Sequence, residues 1–524
     1  MQSKIFTPMK ILLIVFLVTT VILPLLQMMT YVTHSDASAI LNSPRLWRAA
    51  KNSAAVSSAA SMVSISAALL AAFCVARSGI RYKRVFDMFA TLPMLIPSIS
   101  HGMGLIVLFG RNGILTNMFS IEGSVYGFWG IVAGSVFYSF PLAYLMLRDI
   151  LEYEDTSPYE AATILGISRL RQFVSITLPY LYKPLTAVAF ATFTMIVTDY
   201  GVPLIVGGRF LTLPVMMYEE VIGMLNFGGG SVIGAMLLVP AVVSFVLDSF
   251  SRDMGNQSYV TLKWKQKPSD AVVTLAYAYC IFIIVIAVLP VASFFLLAFV
   301  NKYPHDMTFT LKNALNSFRK GADTYLVNSL FIALSVTAWG VFFSYLTAYF
   351  TSRSAGSSSR ALHLASITSL AVPGIVLGIS YVLFFKGTFL YSTLSILMLV
   401  NLAHFFASPY LMAYNSLNKV NRNLEAVGMT LGISRWRILR DVIVPMTLPT
   451  ILEMGSYFFV NSMMTISAVA FLSNVRTKPL SMMIPAFEAN MQLECAAFVS
   501  LLILLSNVAM KLLAGAFRRI LGRE

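Results

Sequence analysis

The sequence of 524 residues carries little charge: Asp, Glu, Lys and Arg together make up only 11% of it. A soluble globular chain holds about 25% charged residues, which its surface needs for contact with water. Hydrophobic residues make up 58% of this chain, and its mean hydropathy is +0.78. This composition excludes an ordinary soluble protein and predicts an all-α, polytopic membrane protein.

Cysteine and known catalytic motifs are also scarce. The three cysteines lie in apolar segments and indicate neither a disulfide framework nor a metal site. His101 and His404 lack a metal-binding spacing, which favours packing or a lumen role. No phosphate-binding G-x-x-x-x-G-K-[ST] motif occurs, so the chain itself is not expected to bind ATP. The sequence also holds no Ser-His-Asp set or paired carboxylates that would favour an enzyme.

The formal net charge of +15 would suit a nucleic-acid-binding protein if the cations formed one face. They fall instead in short clusters between apolar runs, the pattern of membrane proteins with basic cytoplasmic loops. We therefore predict membrane lipid as the surrounding medium and no nucleic-acid partner.

Apolar runs of about 20 residues, the length that crosses a bilayer, recur along the chain. The first run follows Lys4 and Lys10 and precedes small residues at 37–39, so a cleavable signal peptide is the alternative reading there. We predict twelve spans, at residues 10–32, 52–76, 85–109, 126–147, 182–206, 229–247, 271–300, 325–350, 361–385, 391–417, 446–472 and 494–514.

A polar linker at residues 249–270 separates six spans from six. We predict a domain boundary near Gly255, between a first domain at 1–255 and a second at 256–524. An even number of spans puts both termini on one side of the membrane. On that side the predicted loops hold 25 of the 37 Lys and Arg residues, so both termini are predicted to be cytoplasmic.

The two halves contain a duplication. "LGISRLRQFVSITLP" at residues 165–179 overlays "LGISRWRILRDVIVP" at 431–445 with an offset of 266 and 7 of 15 positions identical. Average residue usage would give about one identity by chance. "IPSISHG" at 96–102 overlays "VPGIVLG" at 372–378 with an offset of 276. The halves are therefore predicted to be two parallel six-helix repeats.

The copies lie in polar loops that we call the first loop, residues 150–181, and the second loop, residues 418–445. In the first loop we predict a short helix over residues 160–165, a bend at Gly166 and a second short helix, capped by Ser168, that ends near Leu178 and Pro179.

An apolar ridge formed by Ile164, Leu165 and Ile167 is predicted to enter a groove of a partner protein. An ordinary basic loop at the membrane interface is the alternative for one copy. Two copies on one face favour a partner with two matching sites.

The pattern E-A-A, then Gly, then L-P resembles the EAA motif of permease subunits from bacterial ABC importers. In the second loop Ala426 stands where that motif has its glutamate, and Glu425 stands one residue earlier. The first loop matches the motif at Glu160, Ala161, Ala162, Gly166, Ile176, Leu178 and Pro179, and the second loop fits it at Gly432, Ser434, Arg435 and Pro445.

The resemblance implies a fold of ABC importer permease type in a bacterial inner membrane. It also implies that a dimer of separate ATPase subunits binds ATP and Mg²⁺, so that this chain needs no cofactor. A periplasmic or lipid-anchored binding protein would deliver the substrate. The coupling residues it implies are Glu160, Ala161, Ala162, Gly166, Ser168, Arg169, Glu425, Ala426, Gly432, Ser434 and Arg435.

Asp199 in "TDYGVPLIVGG" lies inside the fifth predicted span, where a carboxylate is costly unless it faces water or a partner. It is either a pathway residue or a buried acid that holds helices together. Gly201 and Pro203 are expected to break the helix there. The predicted substrate-pathway residues are Asp199, Tyr200, Gly201 and, in the equivalent part of span eleven, Asn461, Thr465 and Ser467.

"TDYGVPLIVGGRF" resembles permeases for phosphonates such as 2-aminoethylphosphonate, and "MTISAVAFL" is similar to those permeases and to their ferric-iron relatives. We therefore expect a phosphonate importer permease. Ferric-iron permeases of the same branch are the first alternative, and thiamine or polyamine permeases the next. From another class, a secondary transporter driven by an ion gradient fits a chain of two parallel halves, and a membrane sensor or scaffold is a weaker reading.

Overall fold

The computed structural model describes residues 3–34, 37–120, 123–152, 154–251, 269–354, 356–421 and 423–520. The predicted boundary near Gly255 and most of the predicted linker lie outside these residues, so the division of the chain into 1–255 and 256–524 stays a prediction.

The described residues are almost entirely helical, as the composition predicts. Seven helices are long and apolar enough to cross a membrane, at Pro8–Thr33, Pro44–Arg77, Phe128–Glu152, Phe173–Val197, Asp270–Ala298, Ala322–Arg353 and Leu493–Ile520. Three bent helix pairs are long and apolar enough only when the two helices are taken together: Ser357–Ala371 with Gly374–Phe385 at 109°, Leu394–His404 with Ala407–Lys419 at 49°, and Arg435–Met446 with Leu448–Met464 at 77°.

Five predicted spans are wrong as continuous helices. The spans 361–385, 391–417 and 446–472 fall on the three bent pairs, and the third and fifth predicted spans are interrupted as well. The third, 85–109, consists of a short helix at Lys83–Ala90, a 3₁₀ turn and the helix Ser98–Phe109. Pro93 and Pro97 cause the interruptions, because proline lacks a backbone N–H and disfavours a helical residue before it. The fifth, predicted to run to residue 206, ends at Val197, and a separate helix follows at Gly201–Val206.

The chain packs as two compact units. The first unit comprises Met1–Ile40, Glu219–Leu238 and Ala314–Glu524. Besides the spans named above, its helical segments are Ser3–Leu17, Val18–Ile22, Leu23–His34, Glu219–Gly223, the first part of Phe227–Ser251, Ser357–Thr368, Ser369–Ala371, Asn423–Thr430, Arg435–Ile438, Leu439–Ile443, Val444–Met446, Leu480–Met482 and Met483–Ala489.

The second unit comprises Leu41–Tyr218 and Val239–Asn313. It holds the described sheet, a two-stranded antiparallel ribbon of Val300–Lys302 and Asp306–Phe309. Its shorter helical segments are Lys83–Ala90, Leu92–Leu95, Ser98–Phe109, Ile114–Phe119, Ser157–Ile164, Arg169–Gln172, Phe173–Thr177, Leu178–Val197, Gly201–Val206 and Leu213–Tyr218, and the helices Ala37–Leu41 and Lys312–Arg319 lie at the limits of the two units.

The first helix of the chain packs against helices of the second half. The Tyr381 hydroxyl donates to the Thr20 carbonyl oxygen at 2.7 Å, and the buried Lys10 ammonium donates to the Ser359 hydroxyl at 2.9 Å. Phe16 also stacks on Phe343, with 5.0 Å between ring centroids. These contacts make the N-terminal helix part of the first unit.

The first helix of the second half packs correspondingly in the second unit. Ala276, Cys280 and Ile283 of this helix are buried in the apolar cluster formed with the Pro44–Arg77 and Phe128–Glu152 helices. The Tyr279 hydroxyl donates to the Ala67 carbonyl at 3.0 Å. The two halves therefore exchange their first helices, so packing divides the chain differently from sequence order.

Candidate functional site

The first loop contains the predicted helix and bend. The helix runs over Ser157–Ile164, and Gly166 follows it with φ of +69°. The Ile167 amide donates to the Ala162 carbonyl at 2.9 Å, and the Gly166 amide donates to the Thr163 carbonyl at 3.1 Å. This pair of bonds is a left-handed helix end, for which glycine is preferred because it has no Cβ to clash.

The second loop repeats the same helix end. Its helix runs over Asn423–Thr430, and Gly432 has φ of +75°. The Ile433 amide donates to the Gly428 carbonyl at 2.9 Å, and the Gly432 amide donates to the Met429 carbonyl at 3.1 Å. The duplicated sequence therefore folds into a duplicated backbone shape, and the bend predicted at Gly166 is confirmed.

Large apolar side chains stand exposed at both bends. In the first loop Ile164 is 87% exposed and Leu165 is 75% exposed. In the second loop Leu431 is 70% exposed and Val427 is 56% exposed. Each loop thus presents an apolar ridge of the kind that inserts into a groove of a partner.

The second helix of the first loop does not end near Leu178 and Pro179, so that prediction is wrong. Arg169–Gln172 continues through a π-helical turn at Phe173–Thr177 into the spanning helix Leu178–Val197. The Leu178 amide donates to the Phe173 carbonyl, five residues back. This shift of register lets the helix pass a proline that has no N–H to donate. The first loop is consequently joined to a span by continuous helix.

A buried cluster ties the first loop to the end of the Pro44–Arg77 helix. Arg77 forms an ion pair with Glu154, and both side chains are about 4% exposed or less. The Tyr159 hydroxyl bonds to the Glu154 carboxylate at 2.5 Å and to the Thr177 hydroxyl at 2.7 Å, and the Arg77 guanidinium lies 5.2 Å from the Tyr159 ring centroid. Burial raises the pKa of Glu154, against the opposing effects of Tyr159 and Arg77.

A related cluster ties the second loop to the end of the Ala322–Arg353 helix. The Tyr349 hydroxyl donates to the Glu425 carboxylate at 2.8 Å, and the Arg353 Nε lies 3.9 Å from the same carboxylate. The Arg353 guanidinium also donates to the carbonyls of Leu417 and Val420 at 3.0 and 2.9 Å. In this loop the anchoring carboxylate comes from the short helix itself.

The acidic residues of the two loops therefore differ in position. Glu160 is exposed, as is Ala161, whereas Ala162 is buried. Glu425, predicted with the coupling residues, turns inward with its side chain 12% exposed, and the exposed Ala426 occupies the position equivalent to Glu160. Of the two loops, only the first exposes a glutamate at this position.

Three of the remaining predicted coupling residues are described. Ser434 caps the helix that follows the second bend, because its hydroxyl accepts from the Arg437 amide at 3.4 Å. Ser168 is exposed at the equivalent position, and Arg435 is partly buried. The side chain of Arg169 lies outside the described residues.

Asp199 lies at the break in the fifth predicted span. Its carboxylate accepts from the amides of Gly201 and Val202 at 3.3 and 3.1 Å, and the Ser98 hydroxyl bonds to it as well. Tyr200 is fully buried and stacks on Tyr218 with 5.3 Å between centroids. Asp199 thus accepts from two amides in the first turn of the Gly201–Val206 helix, where a negative charge is favourable.

The equivalent region of the second half uses neutral groups. The Asn461 side chain donates to the Tyr457 carbonyl at 2.8 Å, and the Thr465 carbonyl accepts from the Ser481 hydroxyl at 2.7 Å. Ser467 faces Gly374, where an added Cβ would lie 2.6 Å from its hydroxyl oxygen. These polar groups bond locally, and their place in a substrate pathway stays a prediction.

Sequence reasoning missed the two anchoring arginines. Arg77 and Arg353 are related by the offset of 276 that relates residues 96–102 to 372–378. That equivalence is visible in the sequence. Their partners, Glu154 and Glu425, do not occupy equivalent positions of the repeat, so the repeat does not reveal the two ion pairs. Across the described residues, no group of three or more His, Cys, Asp or Glu side chains is placed to hold a metal ion.

The amino-acid sequence matches a known family of membrane transport components. The sequence matches the family described as the binding-protein-dependent transport system inner membrane component, once over residues 64–255 and again over 340–523. These two regions cover more than half of the chain, which therefore belongs to that family, with one permease region in each half.

Individual relatives are named as transport system permease proteins. The chain is 27% identical over 458 residues to a putative ferric transport system permease protein of Haemophilus influenzae, covering 84% of this chain and 72% of the relative. It is 26% identical to a ferric transport system permease protein of Actinobacillus pleuropneumoniae, covering 84% of this chain and 66% of that protein. A sulfate transport system permease protein of Synechococcus elongatus is 26% identical over 32% of this chain and 62% of its own length.

Proposed function

We propose that this chain forms the whole membrane pathway of an ATP-driven ferric-iron importer and couples to separate ATPase subunits through its two loops. The single observation that supports it most is the duplicated bend, with φ of +69° at Gly166 and +75° at Gly432 and an exposed apolar ridge beside each. Two ridges that share the equivalent exposed residues Leu165 and Leu431 suit a dimeric motor with two equivalent grooves.

The coupling role is further supported by how the loops are held. Each loop is joined by ionic and hydrogen-bonded contacts to the end of a spanning helix, at Arg77 in one unit and Arg353 in the other. A displacement of either loop is therefore transmitted to the spanning helix that it contacts. In the proposed cycle, closure of the ATPase dimer on ATP and Mg²⁺ moves both loops and switches the pathway between two access states.

The orientation and partners follow from this proposal. Both loops and both termini lie in the cytoplasm with the ATPase dimer. A periplasmic or lipid-anchored binding protein delivers the substrate at the opposite face. Asp199 and the equivalent neutral groups at Asn461, Thr465 and Ser467 are the proposed pathway region of the inner membrane permease.

Ferric iron is proposed in preference to the phosphonate that the sequence motifs suggested. Two relatives that each match 84% of this chain are ferric transport permeases, and they match across both halves. The motif "MTISAVAFL" was already common to phosphonate and ferric permeases, so it does not separate the two substrates.

The test is uptake into vesicles that contain the permease and its ATPase, supplied with the binding protein. Ferric iron, 2-aminoethylphosphonate and a polyamine are compared side by side, each with and without ATP. We expect ATP-dependent uptake of ferric iron alone. Uptake of the phosphonate instead would overturn the substrate, and uptake driven by an ion gradient without ATP would overturn the importer.

A further inference from the structure

A basic stretch follows the Pro44–Arg77 helix and is not used by the coupling loops. Residues 81–84 read RYKR and lead into the short helix Lys83–Ala90. With the offset of 276 that relates Arg77 to Arg353, they overlay SSSR at 357–360, where the helix Ser357–Thr368 begins. Two cations and a tyrosine of the first half therefore stand where the second half has serines.

One face of the Lys83–Ala90 helix is fixed within the second unit. Phe86 is buried and packs edge-on against Tyr144, with 5.4 Å between ring centroids. The Tyr144 hydroxyl donates to the Asp87 carboxylate at 2.5 Å, and the Arg148 Nε lies 3.1 Å from the same carboxylate. The acidic residue of this helix is therefore bound to Tyr144 and Arg148.

The opposite face of the helix, with the turn before it, combines apolar side chains and cations. The exposed apolar side chains are Tyr82 at 64%, Val85 at 48% and Met88 at 60%. The cations are Arg81 and Arg84, which are exposed, and Lys83, which is partly exposed. Within the part of the chain that the structure describes, these cations form no ion pair with a carboxylate. The stretch is consequently an amphipathic, positively charged surface.

A contact with a neighbouring span places this surface at the edge of the lipid. The Tyr277 hydroxyl accepts from the Arg81 amide at 2.9 Å. Tyr277 belongs to the spanning helix Asp270–Ala298, on which Leu275 is 70% exposed and Ile281 is 58% exposed. Exposed apolar side chains of a spanning helix face the hydrocarbon layer. Since they lie on both sides of Tyr277 along that helix, the basic stretch lies beside the same layer.

This depth favours a lipid as the occupant of the surface. Short amphipathic helices lie in the membrane interface with their apolar side chains toward the acyl chains and their Lys and Arg among the head groups. Tyrosine is enriched at the same level. Basic clusters next to a span attract anionic head groups, each cation contributing to the affinity.

We propose that Arg81, Lys83 and Arg84 bind the phosphate of an anionic phospholipid such as phosphatidylglycerol, with Val85 and Met88 in the acyl-chain layer beside it. The second half has no equivalent site, because serines replace two of the three cations. The assignment to the cytoplasmic leaflet rests on the proposed function, which orients the first loop. The lipid site itself requires neither the substrate nor the ATPase.

The first test measures lipid binding. The purified full chain in detergent is titrated with dioleoylphosphatidylglycerol or with dioleoylphosphatidylcholine, and the bound lipid is measured by native mass spectrometry. The double variant Arg81→Ser and Lys83→Ser gives the first half the residues of the second half. The matched control, Lys302→Ser and Lys386→Ser, removes two exposed cations elsewhere.

The double variant is expected to lose at least about fivefold in affinity for phosphatidylglycerol, the contribution of one cation near an anionic head group. Its affinity for phosphatidylcholine should not change, and the control should bind both lipids like the wild type. Equal affinity of wild type and double variant for phosphatidylglycerol would overturn the inference. So would a wild type that binds the two lipids equally well.

The second test distinguishes lipid from water and keeps the cations in place. A spin label on Met88→Cys is examined in phosphatidylglycerol nanodiscs that contain no other membrane protein or partner, with the parent chain as the blank because its three cysteines are buried. Oxygen, which concentrates among acyl chains, and a nickel chelate, which stays in water, are compared as relaxing agents. The control label is on Ile164→Cys, at the 87% exposed ridge of the first loop.

The Met88 label is expected to respond more to oxygen than to the nickel chelate, and the Ile164 label should show the reverse. A Met88 label that responds to the nickel chelate as the Ile164 label does would place this face in water, where a soluble protein could cover it, and would overturn the inference. Neither test uses ATP or iron, so failure of the lipid site and failure of the proposed function are separate results.

Discussion

Individual residues set the shape of the two coupling loops through backbone conformation and buried charge. Gly166 and Gly432 sit in open space, with no atom within 4 Å of an added Cβ. Their requirement for glycine is therefore conformational rather than steric. Glu154 and Glu425 act differently from Glu160, because they bind the anchoring arginines instead of facing outward.

Replacing both bend glycines tests the conformational requirement. Gly166→Ala and Gly432→Ala should each destabilise the loop by about 1–2 kcal/mol, the cost of a Cβ in the left-handed region. Gly515→Ala is the matched control, since Gly515 also sits in open space but within a helix. The melting temperature and the affinity for the ATPase should fall in Gly166→Ala and Gly432→Ala only. Equal melting temperatures and equal ATPase affinities in all three variants would show that positive φ at the bends does not affect stability or binding.

Glu154 predicts a pH dependence of stability. Its pKa is raised in the folded protein, mainly by burial, so the folded state holds the proton more tightly than the unfolded state. Stability should therefore fall as pH rises from the usual glutamate value of 4.5 through the raised pKa. Glu154→Gln should make the melting temperature less dependent on pH over that window, although it also weakens the contact with Arg77. Parallel profiles for wild type and variant would contradict this assignment.

At the scale of elements, the two loops are alike in backbone but unequal in surface chemistry. Both have the same helix end and an exposed apolar ridge, while only the first presents a glutamate, at Glu160. In the second loop the glutamate, Glu425, contacts Tyr349 and Arg353 instead of facing outward. Docking on two equivalent ATPase grooves should consequently be unequal.

Crosslinking measures this inequality. Ser168→Cys and Ser434→Cys stand just after equivalent bends, and each is crosslinked to a cysteine in the facing groove of the ATPase. We expect a higher yield at Ser168, because its loop keeps the exposed Glu160. Equal yields at both positions would contradict the asymmetry.

Much of the loop structure was predictable because its signals are local. The Gly166 bend and the exposed ridge follow from a glycine after a short helix in a polar segment. The continuous helix past Pro179 was not predictable from the proline, since a π-helical turn absorbs it. The anchors depend on contacts between residues distant in sequence, such as Arg77 with Glu154, and a pattern within one loop cannot reveal them.

At the scale of the whole molecule, the first helix of each half packs in the unit formed mainly by the other half. The N-terminal helix is held by Tyr381 and Ser359, and the helix Asp270–Ala298 is held in the cluster of the second unit. The sequence does not indicate this exchange, because an apolar run predicts a spanning helix without predicting which other helices it packs against. The exchange predicts that the halves depend on each other for folding.

Cutting the chain tests this dependence. A protease site inserted within residues 252–268 would separate the halves covalently after assembly. We expect the two fragments to remain together through affinity purification and gel filtration, since Lys10 and Thr20 of one fragment bind within the unit of the other. Uncut protein with the same insertion is the control. Separation of the fragments without denaturant would contradict the exchange.

The most direct test of the central claim is docking of the ATPase on the two apolar ridges. Leu165→Asp combined with Leu431→Asp places a charge on both ridges, and Phe389→Asp is the control, because Phe389 is 88% exposed in a loop outside them. Co-purification of the ATPase and ATP-dependent ferric uptake are measured in each. The account predicts loss of both in the double variant and retention in the control; full docking and uptake in the double variant would contradict it.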